Sequence, residues 1–207
     1  MESFRRETVF SFEKFLPLAF ATEEPVRFGR ANILKIQPLM AKIGIFYGST
    51  TGNTEKIAHM IRNEFGKENA DVIDVSLAEK TDVEKYPYLV FGVSTWGVSD
   101  LQDDFEDFME IIEQVDFKGK KVALFGLGDQ STYTETFADA MGILYEWLKK
   151  RDVRVVGSVP REGYSFESSM ALVKGRLVGL AIDEEFEKSL SPGRVKNWVE
   201  SLKKEFV

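Results

Sequence analysis

The chain has 207 residues, 43% of them apolar, with no cysteine, one histidine and a formal net charge of −7. That length suits one domain plus some extra chain, and the acidity excludes unaided nucleic-acid binding, which demands a basic surface. Absent cysteine excludes disulfides, thiolate metal ligands and cysteine nucleophiles together and fits a reducing cytosol, while a lone histidine excludes a multi-histidine metal centre.

Residues 1–39 hold six Lys or Arg against five Asp or Glu, so the negative charge belongs to the rest of the chain. Pro17, Pro25 and Pro38 break this stretch into short pieces without strand–helix rhythm. Its apolar residues, among them Phe10, Phe12, Phe15 and Phe20, raise the question of a targeting peptide. Glu13 and Lys14 interrupt the run, however, and a transit peptide should be poor in acids. The stretch reads as a poorly ordered extension, or as a start codon placed upstream of Met40, with the domain at 40–207. No apolar run anywhere approaches the length of a membrane span.

From Met40 the pattern alternates. Strands are predicted at Lys42–Tyr47, Asp71–Val75, Tyr88–Val93, Lys121–Phe125 and Val153–Gly157, with a further apolar stretch at Leu177–Ile182. Helices are predicted at Glu55–Phe65, Leu101–Val115, Phe137–Arg151 and Pro192–Glu205. His59 falls mid-helix beside Lys56 and Arg62 and reads as a solvated surface residue. Strands alternating with helices predict an α/β protein with a parallel sheet covered on both faces. Ligands of such sheets sit beyond the carboxyl ends of the strands.

Three strand ends carry chemistry. After the first come Ser49, Thr50, Thr51, Gly52, Asn53 and Thr54, four of them hydroxyl-bearing, leading into a helix whose free N–H groups and dipole suit a phosphate. A Walker lysine is absent, so a nucleoside triphosphate is disfavoured and a small phosphate monoester favoured. The same residues also suit an ordinary N-capped helix. After the third strand, Ser94 and Thr95 precede Trp96 and Gly97. After the fourth, Gly126-Leu127-Gly128-Asp129-Gln130 leads to Tyr133. Trp96 alone reads as a packing residue, and Tyr133 alone as a staple onto the Phe137 core. A phosphate loop with two aromatic arms describes a site for a phosphorylated planar heterocycle, and Gly126 and Gly128 would let the backbone approach such a ring. FMN fits that description.

Together, G-S-T-T-G-N-T (48–54), T-W-G-V-S-D-L-Q-D-D-F-E (95–106) and G-L-G-D-Q-S-T-Y-T-E-T-F-A-D-A (126–140) resemble the flavodoxin family. The segments 162–169 and 178–185 resemble the insertion that splits the fifth strand of its long-chain type. The likeness covers Met40 to Phe206. It implies a three-layer α/β/α fold with sheet order 2-1-3-4-5, non-covalent FMN, and one-electron transfer between cytosolic enzymes rather than substrate turnover. Implied roles are phosphate binding for Ser49 to Thr54, ribityl and ring contacts for Ser94 and Thr95, and flanking of the ring by Trp96 and Tyr133. Leu127, Gly128, Asp129 and Gln130 would offer backbone donors to the pyrimidine edge. Gly97, Thr132 and Ser165 depart from common family residues, and Ser165 stands where a ribityl-contacting aspartate is frequent.

Two levers on the cofactor follow from the resemblance. Asp100, Asp103, Asp104, Glu106 and Asp129 would repel the anionic reduced flavin, each by about 0.4 to 1.7 kcal/mol at roughly 10 Å before screening, although they also suit a solvated helix N-terminus. The Gly97–Val98 peptide matches the one that turns its carbonyl toward flavin N5 and so would favour the neutral semiquinone. Implied partners are ferredoxin/flavodoxin-NADP reductase or pyruvate:flavodoxin oxidoreductase type enzymes docking on the acidic surface of a cytoplasmic monomer. The insertion would contact partners or extend the sheet edge. The rival reading is an FMN-dependent NAD(P)H:quinone oxidoreductase. A receiver domain is a weaker rival, because hydroxyls and Trp96 stand where it needs acidic residues.

Overall fold

A computed structural model describes residues 43–206, and the extension at 1–39 lies outside them. The strands β1 (Ile43–Tyr47), β2 (Ala70–Asp74), β3 (Tyr88–Trp96) and β5 (Lys121–Leu127) run parallel in the order β2-β1-β3-β5. Two short strands share the fifth position. β6 (Arg154–Val156) pairs with residues 121–123 of β5, and β10 (Leu180–Ile182) with residues 125–127. By position this is the expected 2-1-3-4-5 sheet with its last strand split.

Alternation along each strand assigns the two faces. Ile43, Ile45 and Tyr47 of β1, Val90 of β3 and Phe125 of β5 pack under α1 (Asn53–Phe65) and α5 (Ser191–Glu205). Phe46, Leu89, Phe91, Val93 and Leu124 pack on the opposite face, under α3 (Asp103–Ile112) and α4 (Asp139–Leu148). This second face is an aromatic cluster: the Phe91 ring lies edge-on to Phe46, Phe105, Phe108 and Phe117 at 6.0 to 6.5 Å. Each such buried side chain is worth about 1.5–3 kcal/mol of transfer free energy.

Element ends differ from the sequence reading for identifiable reasons. β3 continues past Val93 to Trp96 because Thr95 and Trp96 pair antiparallel with β4 (Asp100–Leu101). Helix α3 therefore starts at Asp103 rather than Leu101, and Gln102 caps it by accepting from the Phe105 amide. Helix α4 starts at Asp139 rather than Phe137, since Ala138 holds a left-handed backbone. A 3₁₀ turn at Val75–Leu77 and the short α2 (Lys80–Glu84) are additional to the predicted elements. Five residues offer too little periodicity to detect, and α2 instead rests on reciprocal capping by Glu79 and Asp82.

Residues between β6 and β10 form their own antiparallel sheet, in the order β7 (Val159–Pro160), β9 (Arg176–Leu177), β8 (Leu172–Val173). Phe166 and Tyr164 from this inserted segment pack on Phe137, with ring centroids 5.3 and 6.0 Å away. Gly142 of α4 permits a close backbone approach here: a Cβ would lie 2.3 Å from the Met170 carbonyl carbon.

Candidate functional site

The turns after β1, β3 and β5, with the residues following β10, enclose a cavity of about 450 Å³. It collects Thr51, Asn53 and Thr54 from the first turn, Ser94, Thr95, Trp96 and Gly97 from the second, and Leu127, Gly128, Asp129, Tyr133 and Thr136 from the third. Glu184, Glu185 and Phe186 complete the wall. Ser49, Thr50, Gly52 and Gln130 do not line it; they shape the turns that do.

At the first turn, the Ser49 hydroxyl accepts from the Gly52 amide at 3.1 Å, and the Gly52 carbonyl accepts from the Lys56 amide at 3.0 Å. Gly52 has φ +83°, with nothing within 4 Å of an added Cβ. No side chain caps α1, so the amides of Asn53, Thr54 and Glu55 have no acceptor among the described residues. Left alone, such orphan donors at a helix N-terminus form a favourable seat for an anion. Gln102, 2% exposed, supports this turn from α3 by donating to Thr50 Oγ1 at 3.3 Å and to Asp104 Oδ2 at 2.6 Å.

The second turn is the three-residue link between β3 and β4. Gly97 has φ +52° and Ser99 φ +74°. Ser99 is held in that unusual conformation by donating to Asp139 Oδ2 at 2.7 Å. Trp96 is 41% exposed and donates from Nε1 to the Ser94 hydroxyl at 2.9 Å. The Thr95 hydroxyl accepts from the Ala140 amide at 3.2 Å, tying β3 to α4.

In the third turn, Asp129 accepts from the amides of Ser131 and Thr132 through its carboxylate and from that of Tyr133 through its carbonyl. Tyr133, 54% exposed, is thereby set at the cavity rim. Desolvation pushes the Asp129 carboxyl up, but the hydrogen bonds from Thr132 and Ser131 outweigh it and hold it below the usual carboxylate range. The Gly128 amide is taken by the Ile182 carbonyl at 3.1 Å and the Gln130 amide by Asp183 Oδ2 at 3.2 Å. Among the described residues the Asp129 amide has no such acceptor, so it is the freest of the predicted backbone donors. Gln130 itself is buried, its Oε1 accepting from the Ser165 amide at 2.8 Å, and neither Gln130 nor Ser165 reaches the cavity wall.

Gly126 and Gly128 let the end of β5 pack closely against the start of α4, and Gly128 also lines the cavity. A Cβ at Gly126 would come within 2.9 Å of Met141 Cβ, and one at Gly128 within 2.9 Å of the Ala138 amide nitrogen. Of the acidic residues predicted around the site, Asp129 lines the cavity, whereas Asp103, Asp104 and Glu106 occupy the first turn of α3. Sequence reasoning missed Gln102, Thr136, Glu184, Glu185 and Phe186. A usable signal did exist for the last three: they follow an apolar run that ends beside the end of β5, and ligands gather at such ends.

No Lys, Arg or His lines the cavity. Among the described residues no cluster of His, Cys, Asp and Glu could hold a metal ion, and no helix is long and apolar enough to cross a membrane.

A sequence profile of the flavodoxin family matches residues 45–198. Flavodoxin of Nostoc sp. strain PCC 7120 is 47% identical over 165 residues, covering 80% of this chain and 97% of its own. Flavodoxin 1 of Escherichia coli K12 is 46% identical over 167 residues, covering 80% and 95%. In structure, the Fusobacterium nucleatum flavodoxin bound to flavin mononucleotide superposes with a TM-score of 0.75 at 32% identity, covering 80% of this chain and 98% of that one.

Proposed function

The chain belongs to the flavodoxin family, and on that premise we propose that its strand-end cavity holds FMN with the phosphate on α1 and the ring between Trp96 and Tyr133. It is an FMN-binding electron carrier rather than an enzyme with its own substrate turnover. One observation supports the placement above others. Residues carrying orphan helix amides and two exposed aromatics, Trp96 at the end of β3 and Tyr133 in the turn after β5, line a single cavity. The residues present fit the cofactor, since a phosphate monoester needs donors without a metal and a flat ring needs two apolar faces. Bound flavin supplies the redox chemistry. The chain's own residues bind, orient and tune it. Ser49 and Gly52 hold the amide cradle open, Thr51, Asn53 and Thr54 offer hydroxyl and amide groups, and Ser94 and Thr95 face the polyol chain. Leu127 and Gly128 shape the wall, Asp129 offers its free amide to the polar ring edge, and Gln130 braces the turn from behind.

The functional unit in this reading is residues 40–207, acting as a cytoplasmic monomer. Its partners are redox enzymes of the ferredoxin/flavodoxin-NADP reductase or pyruvate:flavodoxin oxidoreductase type, drawn to an acidic rim by basic patches. The alternative of an NAD(P)H:quinone oxidoreductase finds no support in the relatives, and no cation lines the cavity to receive a nucleotide phosphate.

An anaerobic reductive titration of the FMN-loaded protein, followed by visible absorbance, tests the reading. A long-wavelength band rising and falling between the yellow and bleached forms is the expected outcome. Direct bleaching would indicate two-electron chemistry, and failure to retain FMN would remove the assignment of the cavity.

A further inference from the structure

Glu184 follows β10 and shares the cavity wall with Thr51, Asn53 and Thr54. Its side chain is 3% exposed. One carboxylate oxygen, Oε2, lies 2.5 Å from Lys56 Nζ; the other, Oε1, is buried without a partner among the described residues. An unpaired acid here would be costly twice over, through its own desolvation and through repulsion of any anion seated on α1. Lys56 offsets part of the first cost and cancels the net charge behind the second. It is the fourth residue of α1, and helical side chains lean back toward the N-terminus, which carries its ammonium alongside the first turn. The other acids near the cavity do not share this partner: Glu185 and Asp129 also line it, and Glu55 faces His59 at 3.8 Å.

We propose that Lys56 and Glu184 form a charge-compensated recognition pair, in which Lys56 sets the preference of the site for a phosphorylated over an unphosphorylated flavin. Glu184 contributes a buried negative charge on the cavity wall, its Oε2 held by Lys56 and its Oε1 shielded from solvent. Lys56 cancels the carboxylate charge, which would otherwise oppose the phosphate. The inference rests on the FMN reading above and adds two residues to it. It also separates two contributions that a single cradle would merge: the amides of α1 bind the phosphate, while the ion pair decides whether its negative charge is tolerated.

The test is fluorescence-quenching titration of the full flavin-free chain with FMN and with riboflavin at low ionic strength. Lys56→Met should weaken FMN about tenfold, the order expected when one unit charge beside a dianion is lost in a high-dielectric setting, and weaken riboflavin, which carries no phosphate, by less than about threefold. Lys56→Arg should retain the FMN-to-riboflavin preference, and Lys56→Met combined with Glu184→Gln should recover it, because the opposing charge is then gone. Equal losses for both flavins, an unchanged preference in Lys56→Met, or a double variant as poor as Lys56→Met would each overturn the proposal. Should Lys56→Met fail to fold, loss of preference in Lys56→Arg, or in a Lys56→Met/Glu184→Gln protein that does fold, overturns it equally. Failure of the unsubstituted chain to bind FMN would instead overturn the cofactor assignment itself.

Discussion

At the scale of single residues, the β3–β4 turn concentrates backbone strain. Gly97 holds φ +52°, and an added Cβ would meet Asp100 Oδ2 at 2.9 Å. A β-branched residue in the left-handed region costs about 1–2 kcal/mol. Gly97→Val should therefore lower the unfolding free energy of the flavin-free protein, read from urea titration, by about that much, whereas Gly97→Asn, which tolerates the region, should cost little. In the FMN-loaded protein, Gly97→Val should also diminish the long-wavelength band of the reductive titration; an undiminished band would dismiss a role for backbone freedom at this peptide. Asp129 permits a pH prediction. Its folded-state carboxyl is held below the usual range, so it contributes stability above the ordinary value of about 3.9 and loses it as pH falls through the lower folded value. Urea midpoints between pH 5 and pH 3 should drop further in the wild type than in Asp129→Asn.

At the scale of elements, the inserted segment is joined to the second turn through one buried side chain. Asp139, at the start of α4, accepts from the Ser99 hydroxyl through Oδ2 and from the Met170 amide through Oδ1 at 2.7 Å. The Ser168 and Ser169 hydroxyls add bonds to the carbonyls of Glu135 and Phe137. No residue of 157–179 lines the cavity, so the insertion acts on the site from behind it, through these ties and through the Ser165 amide bonded to Gln130 of the third turn. Asp139→Ala removes the buried carboxylate that holds two part-buried donors at once and should cost about 2–4 kcal/mol. Amide hydrogen exchange should then accelerate both near 97–101 and near 168–171. Acceleration confined to the inserted segment would show that the two are not coupled through Asp139. Gln102 is a comparable tie on the other side: Gln102→Ala removes the cap of α3 and the brace on Thr50, for about 1–2 kcal/mol of stability, and should weaken FMN binding as well.

At the scale of the whole molecule, stability draws on the faces of the strands and the cavity on their carboxyl ends. The aromatic cluster around Phe91 lies beneath α3 and α4, and Phe91→Ala should cost about 3–5 kcal/mol by calorimetry, without selecting between FMN and riboflavin. The alternation of apolar residues at 43–47, 88–93 and 121–125 was sufficient to establish a parallel α/β sheet, because each strand is buried on both faces and its hydrophobicity is local information. The hydroxyl-rich turn, Trp96 and Tyr133 were legible for the same reason: turn chemistry and exposed aromatics are written in a few adjacent residues. What required the tertiary structure was everything depending on separation along the chain. Lys56 meets Glu184 across 128 positions, Ser99 meets Asp139 across 40, and Gln102 reaches Thr50 across 52. None of these pairs has a periodic or compositional signature. Sequence alone pointed to the strand ends as the place for a phosphate-and-ring site, since turn chemistry is local; only the folded sheet, by bringing the end of β10 beside that of β5, put the buried Glu184 on the wall of the same cavity.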